Sequence, residues 1–511
     1  MTAATLRASV LSPLDRLADA LVDPACRERS MAMLLLGYAL AWSLYAVLAK
    51  ASQDLHVDMG EMIAWSHAAG MGTPKHPPLG AWLVRLWFSV MPRTEWAYYF
   101  FAMLMPAIAL WIAWRLSADY LEPEKRVAGI ALLSLVPFMN FHALKYNANT
   151  VLLPLWAATT WCFLRSFETR RLLWAALAGA GAAAAMLGKY WSVCLIAGLG
   201  LAAIADRRRG IYFRSPAPWV SIAVGAALLA PHVIWLYAHS FGSIGYIGLR
   251  HQETFWTALV STALFFVGCA AYVSPAVVGA FVAARPNLAT LRDVLFPASQ
   301  QRRLINAAFF APALVAAAAA LALRVEITSL WMLPAATLLP VFLLSSPLVA
   351  VARKTLVALL AAAIVFPLLM IIAAPGIAMI THRHGVTHHA DHYRLLAQAL
   401  EKSWRARTDK PLAIIGSDDN LANGVLFYVR GDALAYFITA PALSPWIDEA
   451  RIAREGIALV CAEEEKACMD ALNARSARAG VKPAEITLVR EYLGVPGRSA
   501  RYVISVIPPS M

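Results

Sequence analysis

Eleven long apolar segments constrain this chain more than any other feature of its sequence. They lie at about 31–50, 96–116, 127–144, 150–165, 172–188, 191–205, 217–238, 256–283, 304–323, 330–351 and 355–379. A helix of about 20 apolar residues crosses a hydrocarbon core of about 30 Å. Because 60% of the residues are hydrophobic and only 15% are charged, we predict an α-helical polytopic membrane protein with about 11 transmembrane helices.

The basic residues predict how these helices are oriented. Clusters occur in alternate connections, as expected for cytoplasmic loops: Arg27 and Arg29, Lys125 and Arg126, Arg170 and Arg171, Arg207 to Arg209, Arg302 and Arg303, Arg353 and Lys354. The N-terminus is therefore expected in the cytoplasm and everything after about residue 380 on the opposite side. The net charge of +13 is explained by this distribution and does not indicate a nucleic-acid partner.

Three regions follow from this organisation. We predict a cytoplasmic N-terminal segment (1–30), a transmembrane domain (31–380) with a first outer loop (51–95), and a small α/β domain outside the cytoplasm (381–511). The last region has strand patterns at 412–417, 433–439, 456–461, 486–493 and 500–507, separated by helical patterns at 391–405, 445–454 and 463–478. Strands that alternate with helices are typical of an α/β fold.

Polar residues gather on the predicted non-cytoplasmic membrane surface. They are Asp58, Glu61, Lys75, His76, Lys145, Tyr146, Asn147, Lys189, Tyr190, Arg250 and His251. An interfacial Lys beside an aromatic residue is by itself more often a membrane anchor than a ligand. Ionisable groups that share one face at membrane depth are costly, however, and usually mark a site.

The stretch VDMGEMIAWSHAAGMGTPKHPPLGAWL, residues 57–83, concentrates this chemistry in the first outer loop. Asp58 and Glu61 are about one turn apart on a predicted interfacial helix. Asp58 is near the N-terminus of that helix, where a carboxylate is also an ordinary partner of the helix dipole. Pro77 and Pro78 stiffen the segment that presents Lys75 and His76.

These motifs carry a resemblance to a known family. Asp58, His76 with the following Pro-Pro-Leu, KYNANTVLLPLW (145–156) and LGKYW (187–191) resemble bacterial glycosyltransferase family 39. This group is protein-mannosyltransferase-like and related to lipid A aminoarabinose and lipopolysaccharide galacturonic acid transferases. The resemblance implies a GT-C fold, a polyprenyl-phosphate sugar donor and Asp58 as the catalytic residue.

Two positions depart from the family pattern. Met59 follows Asp58 where many relatives have Glu, and Asn149 occupies a position that is acidic in many relatives. We therefore assign no metal ligands and no certain cofactor, and leave divalent-metal dependence open.

The expected function is transfer of a sugar to a hydroxyl of lipid A, lipopolysaccharide, another envelope lipid or glycan, or a protein. Asp58 is the expected general base, and the expected location is a bacterial inner membrane with the site in the periplasm. A transporter or flippase for a lipid-linked or anionic solute is an alternative, which predicts charged residues at the bilayer midplane and repeated halves. A non-catalytic membrane scaffold is another.

Cysteine and histidine residues near the end of the chain leave two further questions. Cys461 and Cys468 are candidates for a disulfide if their domain is in an oxidising compartment. The run THRHGVTHHADHY, 381–393, has the residue types of a zinc site but no tetrahedral ligand spacing. It is more typical of a polar linker.

Overall fold

The structure is a computed structural model that describes residues 12–68, 70–239 and 254–510. The chain divides into two compact units. The first, here called the membrane unit, consists of Met1–Ser43, Phe100–Leu144 and Ala148–Leu369. The second, the sheet unit, consists of Leu44–Tyr99, Lys145–Asn147 and Met370–Met511. The predicted first outer loop therefore groups with the C-terminal region.

Most of the described chain is helical. The helices up to residue 384 are α1 (Pro13–Val22), α2 (Arg27–Ala49), α3 (Val57–Ala68), α4 (Leu79–Val90), α5 (Glu95–Ser117), α6 (Pro123–Ser134), α7 (Ala148–Thr169), α8 (Leu172–Gly188), α9 (Val193–Ala205), α10 (Arg209–Phe213), α11 (Ala217–Ala238), α12 (Phe255–Ala284), α13 (Leu288–Leu295), α14 (Gln300–Leu323), α15 (Leu339–Leu344) and α16 (Arg353–His384).

Six of the helices in the described ranges are long and apolar enough to cross a membrane: α2, α5, α11, α12, α14 and α16. Shorter apolar helices accompany them, including α4, α8 and the segment Leu333–Leu344. A helix satisfies its backbone hydrogen bonds internally, which a membrane-spanning segment must do. The predicted polytopic helical architecture is confirmed.

Two predicted spans are less regular than their apolar composition suggests. The segment at 330–351 contains two short 3₁₀ turns, Ser329–Trp331 and Leu333–Leu338, before α15. The span predicted at 127–144 is helical only as far as Ser134, where α6 ends. Prolines at 334, 340 and 347 in the first segment, and at 137 in the second, lack the N–H that a continuous helix requires.

The C-terminal part of the sheet unit is a small α/β domain, as predicted. Its helices are α17 (Tyr393–Arg405), α18 (Asp419–Leu426), α19 (Glu449–Glu455) and α20 (Lys466–Arg478), and its strands are β1 (Ile414–Ser417), β2 (Leu434–Phe437), β3 (Ile457–Ala462), β4 (Ala484–Tyr492) and β5 (Val495–Ile507). All five strand patterns of the sequence correspond to strands. Helix α18 lies outside the three predicted helical patterns.

The sheet has the strand order β2-β1-β3-β5-β4. Strand β1 pairs in parallel with β2 and β3, whereas β3 with β5 and β4 with β5 are antiparallel. Buried Ile414, Leu459 and Leu472 belong to the core beneath it. Cys461 of β3 and Cys468 of α20 are joined by a disulfide with an S–S distance of 1.99 Å.

Helix α18 packs directly on helix α3 within the sheet unit. Asp418 follows β1 and caps α18 by accepting hydrogen bonds from the backbone N–H groups of Asn420 and Leu421. A Cβ added at Gly60 of α3 would lie 2.5 Å from the backbone oxygen of Asn423 and 3.1 Å from Cα of Gly424. The two helices meet backbone to backbone, and only glycine at position 60 permits that distance.

We expect Gly60→Ala to destabilise the sheet unit by about 1–3 kcal/mol, since the added methyl group overpacks a rigid contact. An apparent melting temperature measured on the purified protein would show this. Gly37→Ala is the matched control, because Gly37 is also helical and has open space at its Cβ position. If both variants melted like the parent protein, the close approach of α3 and α18 would be wrong.

Candidate active site

Asp58 lies in the first turn of α3, in the sheet unit. The side-chain amide of Asn147 donates a 2.8 Å hydrogen bond to Asp58 Oδ2, and Lys145 Nζ is 3.7 Å from the same oxygen. The side chains of Asp58 and Lys145 are each 33% exposed. Two residues of one loop, Lys145 and Asn147, therefore hold this carboxylate in a half-buried position.

His56 contacts Asp58 from the other side. The Asp58 backbone N–H donates to His56 Nδ1 at 3.1 Å, and Asp58 Oδ1 is 3.6 Å from the same nitrogen. Burial lowers the pKa of His56 to about 4, although Asp58 opposes that shift. Because Nδ1 accepts a hydrogen bond and the ring is neutral at pH 7, His56 and Asp58 do not form an ion pair at that pH.

The protonation of Asp58 results from opposing influences. Burial raises its pKa, but His56, Lys145, the Asn147 hydrogen bond and Lys75 lower it, and the net pKa lies below the ordinary value. Since His56 is neutral at pH 7, Lys145 and Lys75 are the cations that lower the pKa of Asp58 at that pH. Asp58 is consequently ionised throughout the neutral pH range.

Glu61 and Lys75 form the second charged pair of the predicted set. Lys75 Nζ donates to Glu61 Oε1 at 2.7 Å, and the Glu61 side chain is only 16% exposed. Burial raises the pKa of Glu61, while Lys75 opposes that rise and Asp58 and Asp419 add to it. Glu61 thus pairs with Lys75.

A tight turn presents Lys75 and His76. Thr73 Oγ1 accepts from the backbone N–H groups of His76 at 2.8 Å and Lys75 at 3.3 Å, and Thr73 N donates to His76 O at 3.0 Å. The His76 ring lies edge-on to Trp65, with ring centroids 5.4 Å apart. Pro78 then precedes α4, so the Pro-Pro pair leads into a helix as predicted.

Tyr146 is buried and packs in the sheet unit. Its hydroxyl donates to Gly80 O at 3.1 Å, and its ring contacts Tyr98, whose hydroxyl donates to Met59 O at 3.0 Å. These contacts place Tyr146 between α3, α4 and α5. Its observed interactions support the loop, and its side chain has no exposed surface.

A buried ion pair lies immediately before the Asp58 helix. The Asp54 side chain is fully buried, and Arg490 Nη1 of β4 donates to its Oδ1 at 2.7 Å. The backbone N–H of Arg394 donates to Asp54 Oδ2 at 2.9 Å. Burial raises the pKa of Asp54, and Arg490 and the Arg394 N–H oppose that rise.

The same segment is held at a second point. The Leu55 N–H donates to the Tyr428 hydroxyl at 2.9 Å, and that hydroxyl donates to Glu95. Glu95 also pairs with Arg394 at 2.7 Å. Together with the Asp54 pair, these bonds fix the chain three to four residues before Asp58.

Lys189 and Tyr190 belong to the membrane unit and make contacts there. Lys189 Nζ donates to Asn149 Oδ1 at 2.6 Å and lies 4.6 Å from the centroid of the Trp331 ring. The Tyr190 hydroxyl is 2.9 Å from His232 Nε2. The acidic position that many relatives have is occupied by Asn149, which gives Lys189 a neutral partner instead of a carboxylate.

The remaining predictions have different outcomes. Arg250 and His251 lie outside the described residues. Within residues 12–68, 70–239 and 254–510, no group of three or more His, Cys, Asp and Glu side chains is arranged to hold a metal ion. In the histidine run, His392 Nδ1 and His389 Nδ1 both contact the Tyr502 hydroxyl, at 2.7 and 3.0 Å.

His56 and Asp54 were not among the predicted site residues. Their proximity to Asp58 in QDLHVD, 53–58, was the only local signal. The partners that bury Asp54 come from residues 394 and 490, so their pairing is a property of the folded chain.

Comparisons with known proteins agree with this architecture. The profile of the dolichyl-phosphate-mannose-protein mannosyltransferase family matches residues 75–235. The fold resembles the crystal structure of ArnT from Cupriavidus metallidurans bound to undecaprenyl phosphate, with a TM-score of 0.58, 13% identity, and coverage of 93% of this chain and 97% of that one. The chain has a GT-C fold. The predicted resemblance is confirmed.

A second structure of the same protein gives a similar result. ArnT from Cupriavidus metallidurans in the apo state aligns with a TM-score of 0.56 and 13% identity, over 94% of this chain and 98% of that one. A search of curated protein sequences finds no significant match. At this identity the structural likeness shows the fold, and the role of each residue rests on its own contacts.

We expect Arg490→Met to destabilise the sheet unit by about 3–5 kcal/mol at neutral pH, because it leaves the Asp54 charge buried without its partner. The effect should be smaller at pH 5 than at pH 8, since an unpaired buried carboxyl has a raised pKa and protonates more readily. Melting temperatures across this pH range would test it. Exposed Arg478→Met is the control, and equal melting of both variants would contradict the prediction.

Proposed function

We propose that this protein is a glycosyltransferase that moves a sugar from a polyprenyl-phosphate donor to a hydroxyl acceptor, with Asp58 as the general base. The observation that carries the proposal is the Asp58 carboxylate, ionised and half-exposed, with Asn147 and Lys145 on one of its oxygens. A general base needs to be unprotonated and within hydrogen-bond reach of the acceptor.

Both comparisons support a lipid-linked donor. The matching family is described as using dolichyl-phosphate-mannose, and the ArnT crystal structure has undecaprenyl phosphate bound. The two lipids share a polyprenyl chain and a phosphate. A donor of this class suits an enzyme embedded in a membrane, because its tail stays in the hydrocarbon region while its phosphate reaches the interface.

The proposed reaction is a single displacement. The acceptor oxygen forms a bond to the anomeric carbon as the bond from that carbon to the phosphate oxygen breaks. The electron pair of the broken bond stays on the polyprenyl phosphate, and the acceptor proton passes to Asp58. Attack opposite the leaving group inverts the anomeric centre, so one base suffices and no covalent enzyme intermediate forms.

Opposing requirements set the strength of this base. The cations that keep Asp58 ionised also lower its pKa and weaken its affinity for a proton. Asp58 would therefore accept the proton late, after bonding to the anomeric carbon has made the acceptor hydroxyl more acidic. Cleavage of the bond to the leaving phosphate would then contribute most of the activation free energy.

Several predicted site residues have the chemistry to bind the developing phosphate charge. Groups that bind the leaving phosphate more strongly in the transition state than in the ground state increase the rate. Lys145, Lys75 and His76 are candidates in the sheet unit, and Lys189 and Arg250 are candidates in the rest of the chain. Glu61 would hold Lys75 in place through its 2.7 Å contact.

The acceptor side is proposed to be the periplasm of a bacterial inner membrane. Basic clusters in alternate connections support this orientation. The Cys461–Cys468 disulfide also suits an oxidising compartment. Lipid A, lipopolysaccharide, another envelope lipid or glycan, and protein would each present a suitable hydroxyl.

We expect Asp58→Asn to reduce the transfer rate by about 10²-fold or more, because the amide cannot accept the acceptor proton. Transfer of radiolabelled sugar from a purified polyprenyl-phosphate donor in membranes would measure it. Exposed Asp409→Asn, in the same unit, is the control. If the Asp58→Asn protein folded normally and kept near-normal turnover, Asp58 would be excluded as the base.

We expect Lys145→Met to raise the pKa of Asp58, because it removes a cation 3.7 Å from the carboxylate. The acid limb of the pH–rate profile reports the essential base, so it should move to higher pH. Lys402→Met, remote in α17, should leave the profile unchanged. An acid limb that stays in place in the Lys145→Met protein would show that Asp58 does not govern it.

A further inference from the structure

A basic cavity and an apolar cavity lie next to each other at one end of the membrane unit. The basic cavity has a volume of about 570 Å³ and is lined by Arg170, Arg207, Arg214 and neighbouring residues of α10. The apolar cavity has a volume of about 370 Å³ and lies among α7, α8, α9 and α11. Helix α10 and the residues that follow it contribute to both.

The three arginines of the basic cavity are available to an anion. All three are exposed, and no ion pair within the described residues involves any of them. The two nearby carboxylates are already engaged, because Arg208 pairs with Glu168 at 2.8 Å and with Asp206 at 3.0 Å. The connections 168–171 and 206–214 contain six arginines against these two carboxylates.

The apolar cavity presents almost no polar surface, because its few polar groups are bonded within the protein. Thr159 Oγ1 donates to Leu155 O at 2.7 Å, and Ser221 Oγ donates to Ala175 O at 2.8 Å. A volume of this size is in the range of small-molecule pockets. Hydrocarbon suits this cavity better than water, because an apolar cavity offers water no hydrogen-bond partners.

Small residues create this space. A Cβ at Gly179 would lie 2.2 Å from Ser221 O, so this glycine brings α8 against α11. Gly200, which also lines the cavity, has nothing within 4 Å of its Cβ position. Helices α8 and α11 thus contact each other closely at Gly179, while a gap remains beside Gly200.

We propose that the two cavities bind one anionic phospholipid, with its headgroup phosphate at Arg170, Arg207 and Arg214 and an acyl chain in the apolar cavity. Charge complementarity selects this ligand, since basic pockets between membrane helices bind anionic headgroups. The site is distinct from the proposed catalytic residues of the same unit. Arg171 and Lys189 flank opposite ends of α8, which is 17 residues or about 25 Å long.

The test compares binding of phosphatidylglycerol and phosphatidylcholine with identical acyl chains to the purified, detergent-solubilised full-length protein by native mass spectrometry. We expect the parent protein to bind phosphatidylglycerol about tenfold more tightly. Arg207→Gln/Arg214→Gln should lose most of that preference, because each basic residue near an anionic lipid contributes appreciably. Arg292→Gln/Arg324→Gln removes the same charge from exposed positions elsewhere and should keep it.

A second variant tests the apolar cavity. Gly200→Leu should weaken binding of both lipids by filling the gap, whereas Gly376→Leu, also placed in open space, should not. The proposal is overturned if the parent protein binds both lipids equally, or if the two double variants behave alike. It is also overturned if Gly200→Leu binds lipid as the parent does. If a variant fails to fold, the comparison of phosphatidylglycerol and phosphatidylcholine binding by the parent protein decides whether the proposal holds.

Discussion

The buried ion pair between Asp54 and Arg490 is the interaction on which the proposed active site depends. A carboxylate with no exposed surface is costly unless it is paired and hydrogen-bonded, and Asp54 has both a guanidinium and a backbone N–H as partners. These bonds lie just before α3, so they set where that helix begins. The position of Asp58 follows from this anchor, and Gly60 fixes the next turn against α18.

Asp58 and Glu61 show how surroundings differentiate two identical functional groups. They lie one turn apart on α3, yet the pKa of Asp58 is lowered and that of Glu61 is raised. Asp58 has an amide donor and more exposed surface, whereas Glu61 is more deeply buried. Carboxyl groups whose environments separate their pKa values commonly have different roles. Here one is suited to accept a proton and the other to hold Lys75.

The sequence predicted the parts of this structure that depend on local patterns. Apolar segment length predicted the membrane helices, and alternation predicted all five strands of the C-terminal domain. It overestimated the regularity of 330–351, because apolar composition alone does not reveal how closely spaced prolines interrupt a helix. Motifs in the first loop predicted Asp58 as a site residue, whose role remains a prediction, but not the partners that surround it.

What the sequence could not reveal are pairings between distant positions. Arg490 lies in an unremarkable strand pattern, and nothing near it in the chain indicates a carboxylate partner. Glu61 was predicted as a site residue, but its 2.7 Å contact with Lys75 became evident only from the fold. The contribution of Asn147 to Asp58 likewise requires the approach of two loops.

The separation of Asp54 and Arg490 by 436 residues has a consequence for biosynthesis. At about 5–20 residues per second, a ribosome needs roughly 20–90 s after making the first residue to make the second. During that interval the nascent loop has Asp54 but lacks the arginine that pairs with it. The segment that bears the proposed active site can therefore be anchored only near the end of translation, when most of the hydrophobic chain has been made.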